Sequence, residues 1–192
     1  DISCYGHSDG AINLDVVGGV QPYGYSWNNG INSQDLNQIS EGYYQVNIID
    51  NNNCIISNQI NLIEPTQIEL SLELSNYDIF NLSCFESNDG YINSNVIGSV
   101  PPYLYSWSTG DNTPSINNLS SGTYSLLVTD ANSCIISSSS TLTEPNDFFV
   151  TLDFTTDTCD MGVGTASLYI TPQFNSYQIY WSNGEISSSI NN

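Results

Sequence analysis

The chain has 192 residues and a net charge of −20, from 20 Asp plus Glu with no Lys, no Arg and a single His. Nucleic acids and anionic membrane surfaces are gripped by Lys and Arg, so both partners are excluded, together with ion-pair networks and Lys–Asn isopeptide cross-links. A hydrophobic share of 39%, with 13 Tyr and 3 Trp, can offset the entropy of ordering, and a remainder rich in uncharged Ser and Asn suits turns and solvated strand faces better than helix interiors.

The elements read in chain order are strands. Ile12, Leu14 and Val16 alternate with polar residues, as do Tyr23, Tyr25 and Trp27, then Tyr44, Val46 and Ile48, then Ile60 and Leu62. A period of two marks a half-buried strand. Turn signals separate them at Asp9-Gly10, Gly18-Gly19, Asn28-Asn29-Gly30, Glu41-Gly42 and Asn51-Asn52-Asn53. Ile68, Leu70, Leu72 and Leu74 alternate again after Glu64-Pro65.

From there the pattern recurs. A shift of 80 residues lays CYGHSDGAINLDVVGGVQPYGYSWNNG on CFESNDGYINSNVIGSVPPYLYSWSTG, with roughly 30 of the first 75 positions identical and no gap. A third copy begins near Asn146 and reproduces the motif at Tyr180-Trp181-Ser182-Asn183-Gly184. It is expected to be truncated, lacking roughly 25 residues of the full unit. Strands at this spacing, with no helical stripe, predict an all-β protein of tandem Ig-like β-sandwich domains. The expected units are 1–65, with an incomplete first strand, 66–145, complete, and 146–192, truncated.

No stretch reaches the roughly 20 apolar residues of a membrane span, and DISCYGHSDG lacks the basic and apolar regions of a secretory signal. Because patterned sequence runs to both ends, the chain reads as an excerpt of something longer.

The ordered motifs are C-x4-D-G-x-I, G-x-x-P-Y-x-Y-S-W-x-x-G, L-x-x-G-x-Y, D-x-N-x-C and L-x-E-P. Together they resemble the SprB repeat of Bacteroidetes cell-surface proteins. The resemblance implies a repetitive stalk within a large adhesin, extracellular on the bacterial surface, secreted by the type IX system and linked to gliding motility. It offers no catalytic residue. The third unit departs from the pattern, with Asp160-Met161-Gly162 in place of the D-G turn and no Pro-Tyr.

Cys4 and Cys54 are 50 residues apart, as are Cys84 and Cys134, and Cys159 is left over. That spacing fits one disulfide within each unit, Cys4–Cys54 and Cys84–Cys134, with Cys159 unpaired by truncation. The alternative is five reduced, buried thiols, and the extracellular setting implied by the resemblance favours disulfides. Trp27, Trp107 and Trp181 occupy one strand position and are expected in the core, with Tyr25 and Tyr105 on the same side. Tyr44 and Tyr124, each two residues after a glycine, have the placement of a tyrosine corner. Tyr5, Tyr43 and Tyr91 do not recur between units and are candidates for exposure and sugar stacking.

Asp50 and Asp130 open segments similar to the start of an EF-hand loop but without its glycine and twelfth-position Glu. A turn capped by the aspartate is the expected role, with calcium the alternative ligand and no other cofactor expected. His7, Ser8 and Asp9 are neighbours in sequence, which on a strand separates their side chains, so no catalytic triad and no enzyme is expected. The functional expectation is a stalk or spacer whose partners are adjacent repeats of the same chain. The alternative is a carbohydrate-binding module contacting surface polysaccharide.

Overall fold

A computed structural model describes residues 1–156, 164–171 and 177–191. Every named element among them is a strand. Residues 66–145 hold β6 (Glu69–Leu74), β7 (Gly90–Ile97), β8 (Leu104–Trp107), β9 (Ser115–Leu119), β10 (Gly122–Thr129) and β11 (Ile135–Leu142). They form two antiparallel sheets in the orders β6-β7-β9 and β11-β10-β8. Named as Ig strands these are A-B-E and G-F-C, so the unit is an Ig-like sandwich without strand D.

The apolar alternation explains the layering. Ile92 on one sheet and Trp107, Leu126, Val128 and Leu142 on the other are buried and meet in one core, closed by Leu82, Ile116 and Leu119. Leu70, Leu72 and Leu74 of β6 pack against it. The polar residues between them face out, as a period of two requires.

The preceding unit repeats the plan with β1 (Gly10–Ile12), β2 (Gly24–Trp27), β3 (Leu36–Ile39), β4 (Gly42–Ile49) and β5 (Ile55–Leu62). Its sheets are β1-β3 and β2-β4-β5, around a core that includes Ile2, Trp27, Leu36, Val46 and Leu62. β1 is 3 residues where β7 is 8. The reason is pairing: β7 is flanked by β6, whereas residues 13–17 have no such neighbour to complete their ladder. The same gap leaves Ile56 and Ile60 at 65% and 47% exposure, while Ile136 packs on its core. In the third segment β12 (Phe149–Thr155), β13 (Thr165–Thr171) and β14 (Ser189–Asn191) form one sheet in that order, the counterpart of β6-β7-β9.

Candidate functional site

The repeated motifs converge on the two ends of each sandwich. Asp9 closes the loop before β1: its carboxylate accepts the Ser3 amide at 3.0 Å and also the Ser3 hydroxyl. Asp89 closes the matching loop before β7, accepting from the Ser83 amide at 3.3 Å and from Ser87 Oγ at 2.7 Å. The Ser83 and Ser87 hydroxyls hold the Asp89 carboxyl down at about 2. The Ser3 hydroxyl and amide lower that of Asp9.

A second carboxylate anchors each loop from the Glu-Pro joint. Glu64 Oε2 accepts the Gly6 amide at 2.6 Å, and Glu144 Oε2 accepts that of Glu86 at 2.8 Å. Both donors stand at positive φ, 73° for Gly6 and 53° for Glu86, which turns the amide toward the acid. Gly10 and Gly90 follow because nothing larger fits: a Cβ would lie 2.6 Å from Leu62 Cδ2 and 2.7 Å from Leu142 Cδ1 respectively. C-x4-D-G and E-P are thus one device, a loop pinned at both ends with its cysteine pointing off the sandwich.

The opposite end carries the D-x-N-x-C turn. Asp130 is 3% exposed. Its Oδ1 accepts the amides of Asn132 and Cys134 at 2.9 and 2.7 Å, and its Oδ2 accepts the Val100 amide at 3.2 Å and the Ser99 hydroxyl. Burial opposes the charge, but the Ser99 hydroxyl and the Cys134, Val100 and Asn132 amides outweigh it and keep the carboxyl below its usual value. Asp50 makes the same contacts with Asn52, Cys54 and Val20, and the Cys54 amide leads in lowering its carboxyl. Both aspartates cap a hairpin turn with oxygens already committed to N–H and O–H donors. Among the described residues no group of three or more His, Cys, Asp or Glu is placed to hold a metal ion.

The disulfide pairing differs from the one the spacing suggests. Cys4 bonds Cys134, with Cα atoms 5.8 Å apart at a sequence separation of 130, and Cys54 and Cys84 are free and exposed. The cause is topology. The loop before strand B adjoins the end of strand G, since Asn81 and Leu82 donate to the Thr143 carbonyl, whereas the second cysteine precedes the start of that strand. The 8 residues of β11 set the two cysteines of a unit about 26 Å apart, far beyond the reach of a disulfide. Because β6 begins at the same end as Cys134, the chain leaving Pro65 brings that end against the loop that carries Cys4. Asn132 Nδ2 donates to the Ser3 carbonyl at 2.9 Å across this joint. A cleft of about 400 Å³ lies beside the bond, lined by residues of both units including Tyr5, His7, Ile68 and Ile136. Cys159 lies outside the described residues, as do Asp160, Met161 and Gly162.

Trp27 and Trp107 are buried at 4% and 3% exposure. Their indole N–H groups donate to the carbonyls of Ser33 and Thr113, both at 2.9 Å. Trp181 keeps the same bond, to Ser187 at 2.7 Å, but is only half-buried beside a single sheet. Tyr44 and Tyr124, at the start of strand F, donate back to the carbonyls of Ser40 and Ser120, each at 2.9 Å. Tyr5, Tyr43 and Tyr91 are exposed, and Tyr25 and Tyr105 pack half-buried on the cores. His7 Nδ1 lies 3.4 Å from Ser3 Oγ, and Asp9 accepts from that same serine rather than orienting the imidazole, which is not the order a base-activated nucleophile needs. Ser8 Oγ is paired with Ser40 Oγ instead.

The family model of the SprB repeat matches residues 1–32 and 76–112. No curated protein matches the chain. Among solved structures, the crystal structure of Dpr2 Ig1-Ig2 in complex with DIP-Theta Ig1-Ig3 is similar at 11% identity. The likeness covers 87% of this chain and 72% of that chain, with a TM-score of 0.27.

Proposed function

We propose that this chain, a member of the SprB repeat family, is part of the stalk of a large adhesin on the bacterial cell surface, where it acts as a spacer for adhesion and gliding rather than as an enzyme. One observation supports this above the rest. The only disulfide among the described residues joins one unit to the next instead of closing a unit on itself. A bond so placed adds little to an active site or a sugar platform, but it carries load between domains. The exposed faces of Tyr43 and Tyr91 have no aromatic counterpart in the other unit, where Thr123 and Ala11 stand, which is contrary to what a repeated sugar site requires. A uniform charge of −20 keeps neighbouring stalks apart, and Pro65 and Pro145 restrict the backbone at each joint.

Single-molecule pulling from the two ends tests the spacer. With the bond intact the segment between Cys4 and Cys134, a sequence separation of 130, is shielded, and reduction releases roughly 450 Å of additional contour length. Titration with surface polysaccharides should give no saturable binding. Saturable binding that is lost on replacing Tyr5, Tyr43 or Tyr91 would overturn the spacer in favour of a carbohydrate-binding module.

A further inference from the structure

The two free cysteines are built like the two bonded ones. Cys84 stands in the loop that presents Cys4, with the carbonyl of each accepting an amide three residues on, from Ser87 at 3.3 Å and from His7 at 3.1 Å. Glu144 pins the Cys84 loop as Glu64 pins that of Cys4. Cys54 stands in the turn that presents Cys134. In each, the aspartate amide donates to the cysteine carbonyl, at 3.0 Å for Asp50 and 2.9 Å for Asp130, and the residue before the cysteine has positive φ, 63° at Asn53 and 69° at Ser133. The joint itself also repeats. A second cleft, of about 450 Å³, is lined by Cys84, Phe85, Asp147 and Phe148, which are the counterparts of Cys4, Tyr5, Gln67 and Ile68 in the first. Among the described residues no turn faces Cys84 as the Cys134 turn faces Cys4 across the first joint.

We propose that Cys4–Cys134 is one rung of a staple repeated along the array, and that Cys84 and Cys54 are its open halves. Cys84 takes the cysteine of a D-x-N-x-C turn in the unit that follows, and Cys54 takes that of a C-x4-D loop in the unit that precedes. Each rung forms by thiol–disulfide exchange with a disulfide-bearing dithiol oxidase. One thiolate attacks the oxidant and releases one of its sulfurs as a thiolate. The partner thiolate then displaces the other. Two protons leave the cysteines and the oxidant departs as the dithiol, having taken two electrons. Successive rungs overlap, because Cys84 lies between Cys4 and Cys134. In a fully stapled array the shortest covalent path therefore exposes only roughly 30 of every 160 residues to extension, so the stalk transmits force with little lengthening.

The inference does not depend on the adhesin reading, and disulfide mapping tests it separately. Two extended chains supply the missing halves. One carries a second copy of residues 1–80 ahead of Asp1, since Asp1 aligns with Asn81. The other carries a second copy of residues 119–145 after Asn192, since Ser189-Ile190-Asn191-Asn192 repeats Ser115-Ile116-Asn117-Asn118. The chains are oxidised with a glutathione couple, alkylated and digested without reduction. In the first, Cys54 should be linked to the added copy of Cys4 and lose its reactivity. In the second, Cys84 should be linked to the added copy of Cys134. Cys4–Cys134 remains in both and reports that the original joint is folded. Alkylation of Cys54 in the first chain, or of Cys84 in the second, with that control bond present would overturn the staple, as would a link from either to the other cysteine of its own unit.

Discussion

Replacing Cys134 with serine separates two units whose cores are otherwise distinct, one around Trp27 and Val46, the other around Trp107 and Val128. The bond closes a loop of 130 residues, for which the chain-entropy relation gives about 5 kcal/mol at 25 °C. Measured disulfides contribute about 2–4 kcal/mol, and at two to four degrees per kcal/mol the melting temperature should fall by about 5–15 °C. Magnitude alone does not identify the partner, because a bond closing 50 residues within one unit would contribute about 4 kcal/mol. Identity comes from which substitutions matter. Cys4→Ser and Cys134→Ser should each destabilise, and the double variant should be no worse than either. Cys54→Ser and Cys84→Ser should leave the melt unchanged. Differential scanning calorimetry of the four single variants and the double, with and without reductant, makes the comparison. If Cys54→Ser cost as much as Cys4→Ser, the two would be partners and the topological argument against pairing within a unit would fail.

The carboxyls of Asp9, Asp50, Asp89 and Asp130 are all depressed in the folded chain. Their stabilisation should therefore be complete above the ordinary carboxyl value near 4 and be lost as pH falls through their folded values, toward 2 for Asp89. Urea midpoints should accordingly stay flat from pH 7 to about 5 and decline below about 4, less steeply in Asp130→Asn. Gly90→Ala should cost about 1–3 kcal/mol by overpacking, since its Cβ would sit 2.8 Å from the Leu119 carbonyl, and an unchanged denaturation midpoint would show that the close approach is not there. Tyr124→Phe removes the bond to Ser120 and should cost about 1 kcal/mol by the same measurement. At fixed ionic strength calcium should raise the melting temperature no more than sodium does, and a rise at micromolar calcium that disappears in Asp130→Ala would make the turn a metal site.

What the sequence disclosed, and what it concealed, follows from the geometry of each strand. The strands with an unbroken period of two, from Tyr44 to Ile48 and from Ile68 to Leu74, were legible because every second residue faces a core. β3 and β9 were not. Leu36 and Ile39 are both buried although three residues apart, as are Ile116 and Leu119. Gln38 and Asn118 take positive φ, 54° and 56°, and the register shifts where each strand meets Gly10 or Gly90. A bulge adds one residue to the period, so alternation does not reveal such a strand. The tryptophans and corner tyrosines could be read because each is fixed by contacts within its own unit.

The cysteines are different, because spacing counts residues along the chain while a disulfide depends on which end of a sandwich each residue occupies. That end could have been inferred. A cysteine just before strand B and one just before strand G lie at opposite poles of any A-B-E, G-F-C sandwich, so in a head-to-tail array each meets its counterpart only in a neighbour. The charge points the same way. With no Lys or Arg, a joint cannot be locked by ion pairs, and its acids must find backbone amides and hydroxyls instead. Asp9, Glu64, Asp130 and their repeat counterparts do so, each spending its charge on the conformation of a loop or turn that carries a cysteine. Hydrogen bonds of that kind orient a joint but do not hold it under load. In a chain of this composition the strong, directional link left for joining one unit to the next is sulfur to sulfur.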